Sequence, residues 1–578
     1  MAHPDLSLTR TASAGLHLNL RVLLMTVFLG AVCMLVLAPL VWTVLSSFIL
    51  SKPWEPVVYG LDGWKSAFAS PGIVNSIYNT FALAITRQLI ALVLGIALAW
   101  VLARADIPMK GTLEFMFWLS FFMPALPITM GWVLAFDPKV GLVNLWLARL
   151  PFIDGPLFNI YSFWGIVWAH LTATTLGVKV MLLTPAFRNM DSALEEASRT
   201  AGGSTWTTFR RIIIPIMAPV ILVTSILGLI RALEAFEIEL ILGFRVGIDV
   251  YSTRIHSMIE YDPLGGIAPA SALSTFFLCI LLLMVAFNRM FIRRREYATI
   301  TGKFSNRAVP LGRWRYPVFA LVLVVVSLIT FIPTVFLVMG TFMTVFGFFN
   351  IPQVWTLGHW WAVFQDSSFM NALLNTFFIG LGAAVLGVLF YSLIAYVIVK
   401  SDLKGKSLLD FVSWLPWSIP GILLGFGLLW TFLNTPFLKA LHGTTYLMII
   451  AILIKSMPFG VQFIKTAMLQ LSDELEEASR VCGGSWLGTY FRIMFPLLLP
   501  MLMVVSLLVF NSAARDISTL VLLGTANART LSLLMLDWII GENSPEKAMA
   551  VGVVIVVLVV FTSLVARALG GRWIVRGG

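Results

Sequence analysis

The sequence predicts an all-α polytopic membrane protein of about twelve transmembrane helices, arranged as two parallel six-helix repeats. Three observations predict it. Hydrophobic residues make up 59% of the 578 positions and charged residues 12%, a balance found in chains that live in the bilayer. Twelve stretches reach the roughly 20 apolar residues that a helical crossing needs. One polar stretch is spelled twice, at 194–219 and 475–500, in gapless register with many identical positions.

Taken in order, residues 1–21 form a short polar segment, expected on the cytoplasmic side. The apolar run after it lacks a small-residue cleavage site and reads as an uncleaved first helix. The first repeat, 22–295, holds spans at about 22–48, 74–103, 112–136, 161–184, 212–232 and 267–292. A basic linker at 296–316 follows Arg293, Arg294 and Arg295 and carries Lys303, Arg307, Arg313 and Arg315. The second repeat, 317–578, holds spans at about 317–345, 371–399, 408–433, 446–468, 493–511 and 548–569.

An even number of spans per repeat puts the linker, both termini, the loop with Arg104 and Lys110, the loop with Lys400, Lys404 and Lys406, and both polar copies on one face. Basic loops face the cytoplasm, so cytoplasmic termini are expected. The opposite loops carry more balanced charge. Twenty Trp and 43 Phe suit aromatic belts at the two interfaces. The net charge of +11 therefore reports orientation and implies no nucleic-acid partner. Other places also correspond between the repeats: Asn75 to Thr80 with Asn371 to Thr376, and Pro124 and Pro127 with Pro416 and Pro420. The prolines predict kinks in the third and ninth spans.

The duplicated stretch centres two loops, 190–219 and 471–500. Ser192-x-x-Glu195 and Asp473-x-x-Glu476 read as capping boxes that start a short helix. Helix formers follow, then Gly202-Gly203 and Gly483-Gly484 end it by permitting a left-handed turn. A second helix carries Arg210 and Arg211, or Arg492, past Pro215 or Pro496 into the next span. Small Ala and Ser residues give the exposed helix low relief, suited to lying in another protein's groove.

The spacing from Glu196 through Ala197, Ser198 and Gly202 to Pro215, repeated from Glu477 to Pro496, resembles the EAA loop of ABC importer permeases. Ser198 and Ser479 stand where that family usually has a second Ala. The resemblance implies the type I ABC importer transmembrane fold, with each loop a cytoplasmic coupling helix docked in a cleft of one copy of an ABC ATPase. It assigns coupling to Glu195, Glu196, Ala197, Arg199 and Gly202, and to Glu476, Glu477, Ala478, Arg480 and Gly483. Interfacial snorkelling is an equal reading of the arginines.

No catalytic constellation emerges. The six His are spread singly, the three Cys give neither a disulfide framework nor a metal site, and Gly405-Lys406-Ser407 lacks the first glycine of a phosphate loop, which Lys400 replaces. The chain is expected to bind no cofactor, ATP and magnesium being used by the partner. Polar residues inside spans are candidates for the translocation pathway because burying them is costly: Lys179 in the fourth span and Lys455 in the tenth. Lys455 with Pro458 resembles the basic-x-x-Pro of ferric-iron-type permeases, and a structural role bonding the backbone freed by Pro458 is the other reading. Arg231, Glu234, Glu237 and Glu239 follow the fifth span, and Arg515 and Asp516 follow the eleventh; these read as a charged gate or as interfacial ion pairs.

From about residue 20 to 570 the chain resembles fused ferric-iron-type permeases. That resemblance implies delivery by an extracytoplasmic binding protein, with ferric iron the expected cargo and polyamine, thiamine or phosphonate the alternatives. A twelve-span secondary transporter is the reading from another class, which the duplicated loops disfavour.

Overall fold

The computed structural model describes residues 10–51, 55–153, 155–191, 193–262, 265–293 and 309–574. Among them the regular structure is helical, with β pairing confined to three isolated bridges. Among the described residues ten helices are long and apolar enough to cross a membrane. They are Leu23–Ser46, Ile73–Arg104, Phe163–Arg188, Thr205–Leu233 and Ile267–Phe287 in the first half. The second half has Gly312–Thr341, Ser367–Lys400, Thr445–Met468, Trp486–Arg515 and Pro545–Leu569. Most of linker 296–316, including Lys303 and Arg307, lies outside the described residues, as do Arg294 and Arg295.

The third and ninth spans are not single kinked helices. Each is a bent pair, Lys110–Phe122 with Ala125–Phe136 at 102°, and Lys406–Ser418 with Gly421–Asn434 at 113°. Proline explains the break. Pro124 and Pro420 sit in extended geometry just before the second helix of each pair, where a missing N–H costs nothing. The prolines thus do more than bend the helix, as expected; they end one helix and start another.

Side-chain contacts show that each bent pair crosses. Arg104, closing the second span, reaches Glu195 and the Met190 carbonyl beside the end of the fourth span. The second and fourth spans therefore run in the same direction, and the chain between them must return. The bent pair makes that return: Glu114 near its start meets Arg188 at 2.7 Å, while Phe136 at its end stacks on Phe158 at 4.7 Å, just before the fourth span. In the second half Lys400 meets Leu471 and Asp473, and Asp410 meets Lys465 at 2.8 Å. Both pairs are broken crossings, so the described chain makes six crossings per half.

The halves exchange their first helices. Gly131, beyond the break in the third span, lies so close to the seventh span that a Cβ there would strike the Pro333 carbonyl. Gly427, beyond the break in the ninth, stands in the same relation to the Pro39 carbonyl of the first span. In lipid, helices associate through close packing, which small residues permit. Each half thus grips the broken span of the other.

Candidate functional site: loop hairpins and a central charged cluster

Each duplicated stretch folds as a helical hairpin. The short helices are Ala193–Thr200 and Glu474–Val481. Gly202 and Gly483 turn the chain at φ +81° and +77°, the left-handed geometry that glycine adopts without strain. The next glycine is needed for space, because a Cβ on Gly203 or Gly484 would collide with Ser198 or Ser479. Those serines bond across the hairpin to Thr208 at 2.7 Å and Thr489 at 2.8 Å. The hydroxyl of each serine therefore ties the two arms together. The second arm begins with a true cap, Ser204 accepting from the Thr207 N–H and Ser485 from the Gly488 N–H. It then passes through a π-helical turn, Phe209–Ile213 or Tyr490–Met494, which absorbs Pro215 or Pro496.

The expected capping box of the second copy is absent. Asp473 has helical backbone angles and makes no cap bond; its carboxylate goes to Lys400. That lysine holds the Asp473 carboxyl below its usual range, so the pair persists at neutral pH and is lost only as acid protonates it. Glu476 likewise turns to Arg480 at 2.8 Å and Tyr396 at 3.1 Å. In the first copy Glu195 binds Arg104 at 2.9 Å; Ser192 and the Arg199 side chain lie outside the described residues.

The paired glutamates of each copy thus divide. Glu195 and Glu476 are buried and fasten the hairpin to the second or eighth span. Glu196 and Ala197, with Glu477 and Ala478, face outward, and Val481 beside them is 88% exposed. Arg104 and Lys400, the anchors, occupy equivalent places at the ends of those spans; their shared position in the two repeats was the available signal.

A second cluster forms where the halves meet. Lys455 pairs with Asp516 at 2.5 Å and donates to Thr519 at 2.9 Å, so its polar head is not spent on backbone freed by Pro458. Arg231 pairs with Glu234 at 2.6 Å and lies over the Trp417 ring at 4.6 Å. Arg515 donates to the Phe121 carbonyl at 2.9 Å and lies over the Phe121 ring at 5.6 Å. These contacts are reciprocal: the fifth span of one half ends on the break of the other half's third span, and the eleventh does the same in return. Glu237 lies within electrostatic reach of Asp516, Lys455 and Arg515, all from the second half. The structure therefore gathers Arg231, Glu234, Glu237, Lys455, Arg515 and Asp516 in one place.

Two expected members stand apart. Lys179 is buried within the first half, donating to the Thr224 carbonyl at 2.8 Å in space left by Gly95 and Gly228. Glu239 bonds His170 at 2.6 Å with Arg87 at 3.6 Å. His170 and Arg87 come from the fourth and second spans, a pairing no local spacing announces. Among the described residues no group of three or more His, Cys, Asp or Glu is placed to hold a metal ion.

The chain matches the family described as binding-protein-dependent transport system inner membrane component over residues 91–297 and again over 383–575. It is 30% identical over 405 residues to the ferric transport system permease protein of Actinobacillus pleuropneumoniae, covering 69% of this chain and 57% of that protein. A putative ferric transport system permease protein of Haemophilus influenzae is 29% identical over 377 residues, 64% of this chain and 58% of that one. A probable ABC transporter permease protein of Sinorhizobium fredii is 24% identical over 507 residues, 86% of this chain and 87% of its own. The chain spans somewhat more than half the length of the two ferric relatives.

Proposed function

The chain belongs to the family of binding-protein-dependent transport system inner membrane components, and on that premise we propose that it is the fused permease subunit of an ATP-driven importer of ferric iron. The observation that carries the reading is the pair of hairpins: two copies of one docking shape, on one face, each fastened to a membrane helix by a buried glutamate. Each takes one copy of a cytoplasmic ABC ATPase, which binds ATP and magnesium and does the hydrolysis. The outward residues Glu196, Ala197 and Gly202, with Glu477, Ala478 and Gly483, form the contact, and Arg480 steadies Glu476.

The hairpin face and both termini are cytoplasmic. A solute-binding protein docks on the opposite face and delivers the cargo between the halves. There the Arg231–Trp417 and Arg515–Phe121 contacts close the passage. Each bridges the two halves, so the passage opens when the halves part. The names of the relatives support ferric cargo. Polyamine, thiamine or phosphonate would suit the same machinery, but the attraction of Lys455 for an anion is already met by Asp516. In proteoliposomes holding this chain with its ATPase, radiolabelled ferric iron given on its binding protein should enter only with ATP. Uptake driven by a proton gradient without ATP would instead mark a secondary transporter.

A further inference from the structure

The motif shared by Asn75 to Thr80 and Asn371 to Thr376 has a use that neither the hairpins nor the cluster explains. Behind the fifth span, residues 234–250 carry Glu234 and Glu237 and end where helix Tyr251–Tyr261 begins. Behind the eleventh, residues 516–530 carry Asp516, Ser518 and Thr519 and end where helix Leu531–Ile540 begins. These two segments supply the acidic half of the central cluster.

Each is held by an Asn-Thr pair on a neighbouring span. Asn79 donates to the Asp249 carbonyl at 3.2 Å, and Thr80 accepts from the Tyr251 N–H at 3.0 Å. Asn375 donates to the Asn527 and Arg529 carbonyls, both at 3.0 Å, and Thr376 accepts from the Leu531 N–H at 2.9 Å. The accepting role of the threonines is fixed, because each hydroxyl proton already goes to its own helix, at Ser76 or Ala372. Both threonines are buried. Each therefore satisfies a first-turn N–H that no bond within its own helix can meet, and valine at that position would leave it unpaired.

The same helices hold the hairpins at their other end. Arg104 of the second span takes Glu195, and Tyr396 and Lys400 of the eighth take Glu476 and Asp473. From Thr80 to Arg104 an unbroken helix runs about 36 Å. The geometry points to the second and eighth spans as the rods that carry hairpin movement to the gate segments, with Asn79–Thr80 and Asn375–Thr376 as the positioning residues that grip them. This rests on the hairpins being ATPase sockets.

The test uses the complex of the full chain with its ATPase subunits in proteoliposomes. Ser518→Cys is introduced, with Cys33, Cys279 and Cys482 changed to Ser, and labelled by a membrane-impermeant methanethiosulfonate with and without ATP plus vanadate. With the grip intact, nucleotide should change the labelling rate about tenfold. In Thr80→Val/Thr376→Val the change should vanish while ATP hydrolysis continues, and Thr80→Ser/Thr376→Ser should restore it. Asn79→Ala/Asn375→Ala, which keeps the threonine bonds, should weaken the response and serves if the valine variant does not assemble. A full nucleotide response in the valine or alanine variant, or hydrolysis and response lost together in an intact complex, would overturn the proposal. A starting chain that holds no ATPase would sink the importer reading instead.

Discussion

At the scale of single residues, burial decides which charges matter. Arg104 is 1% exposed and Glu195 4%, so removing either leaves the other charged and dry. Breaking such a pair costs about 3–5 kcal/mol. Arg104→Ala should therefore lower the thermal unfolding midpoint in detergent markedly. Lys400→Ala should lower it far less, because its partner Asp473 stays hydrated. Equal midpoints for the two variants would show that the Arg104 anchor is not the stronger one. The central cluster obeys a similar rule: Lys455, Arg231 and Arg515 each answer an acid or an aromatic face, which is how charge is tolerated between membrane helices.

At the scale of elements, the hairpin is a local structure and was legible for that reason. Its turn needs glycine at Gly202 and Gly483, and sequence spacing alone finds them. A left-handed turn costs a side chain about 1–2 kcal/mol, more for a β-branched one. Gly202→Val/Gly483→Val should leave the membrane helices assembled but lower cargo moved per ATP hydrolysed, measured by paired uptake and phosphate-release assays; an unchanged ratio would remove the turn from the coupling route. The capping box expected at the start of the second copy's short helix does not form, because Asp473 has two possible partners and a lysine from the eighth span outcompetes a backbone N–H. Proline marked the third and ninth spans correctly as irregular. It did not reveal bends of 102° and 113°, because the angle depends on what packs beside the break.

At the scale of the whole molecule, the two repeats and their shared orientation follow from counting spans, whereas their interlock does not. The exchange of first helices, sealed at Gly131 and Gly427, joins residues about two hundred or more positions apart, and apolar composition is the same on every face of such helices. The separation of Lys179 and Glu239 from the cluster has the same origin: a polar residue in a span announces that it has a partner, not which one. The proposed route runs from hairpin to anchor to membrane helix to gate. The most direct test of its first step is to purify the chain with its ATPase and count the subunits. Two ATPase copies per chain, lost when Glu196 and Glu477 are both changed to Arg, is the expected result. An ATPase that stays bound to the doubly changed chain would contradict the account.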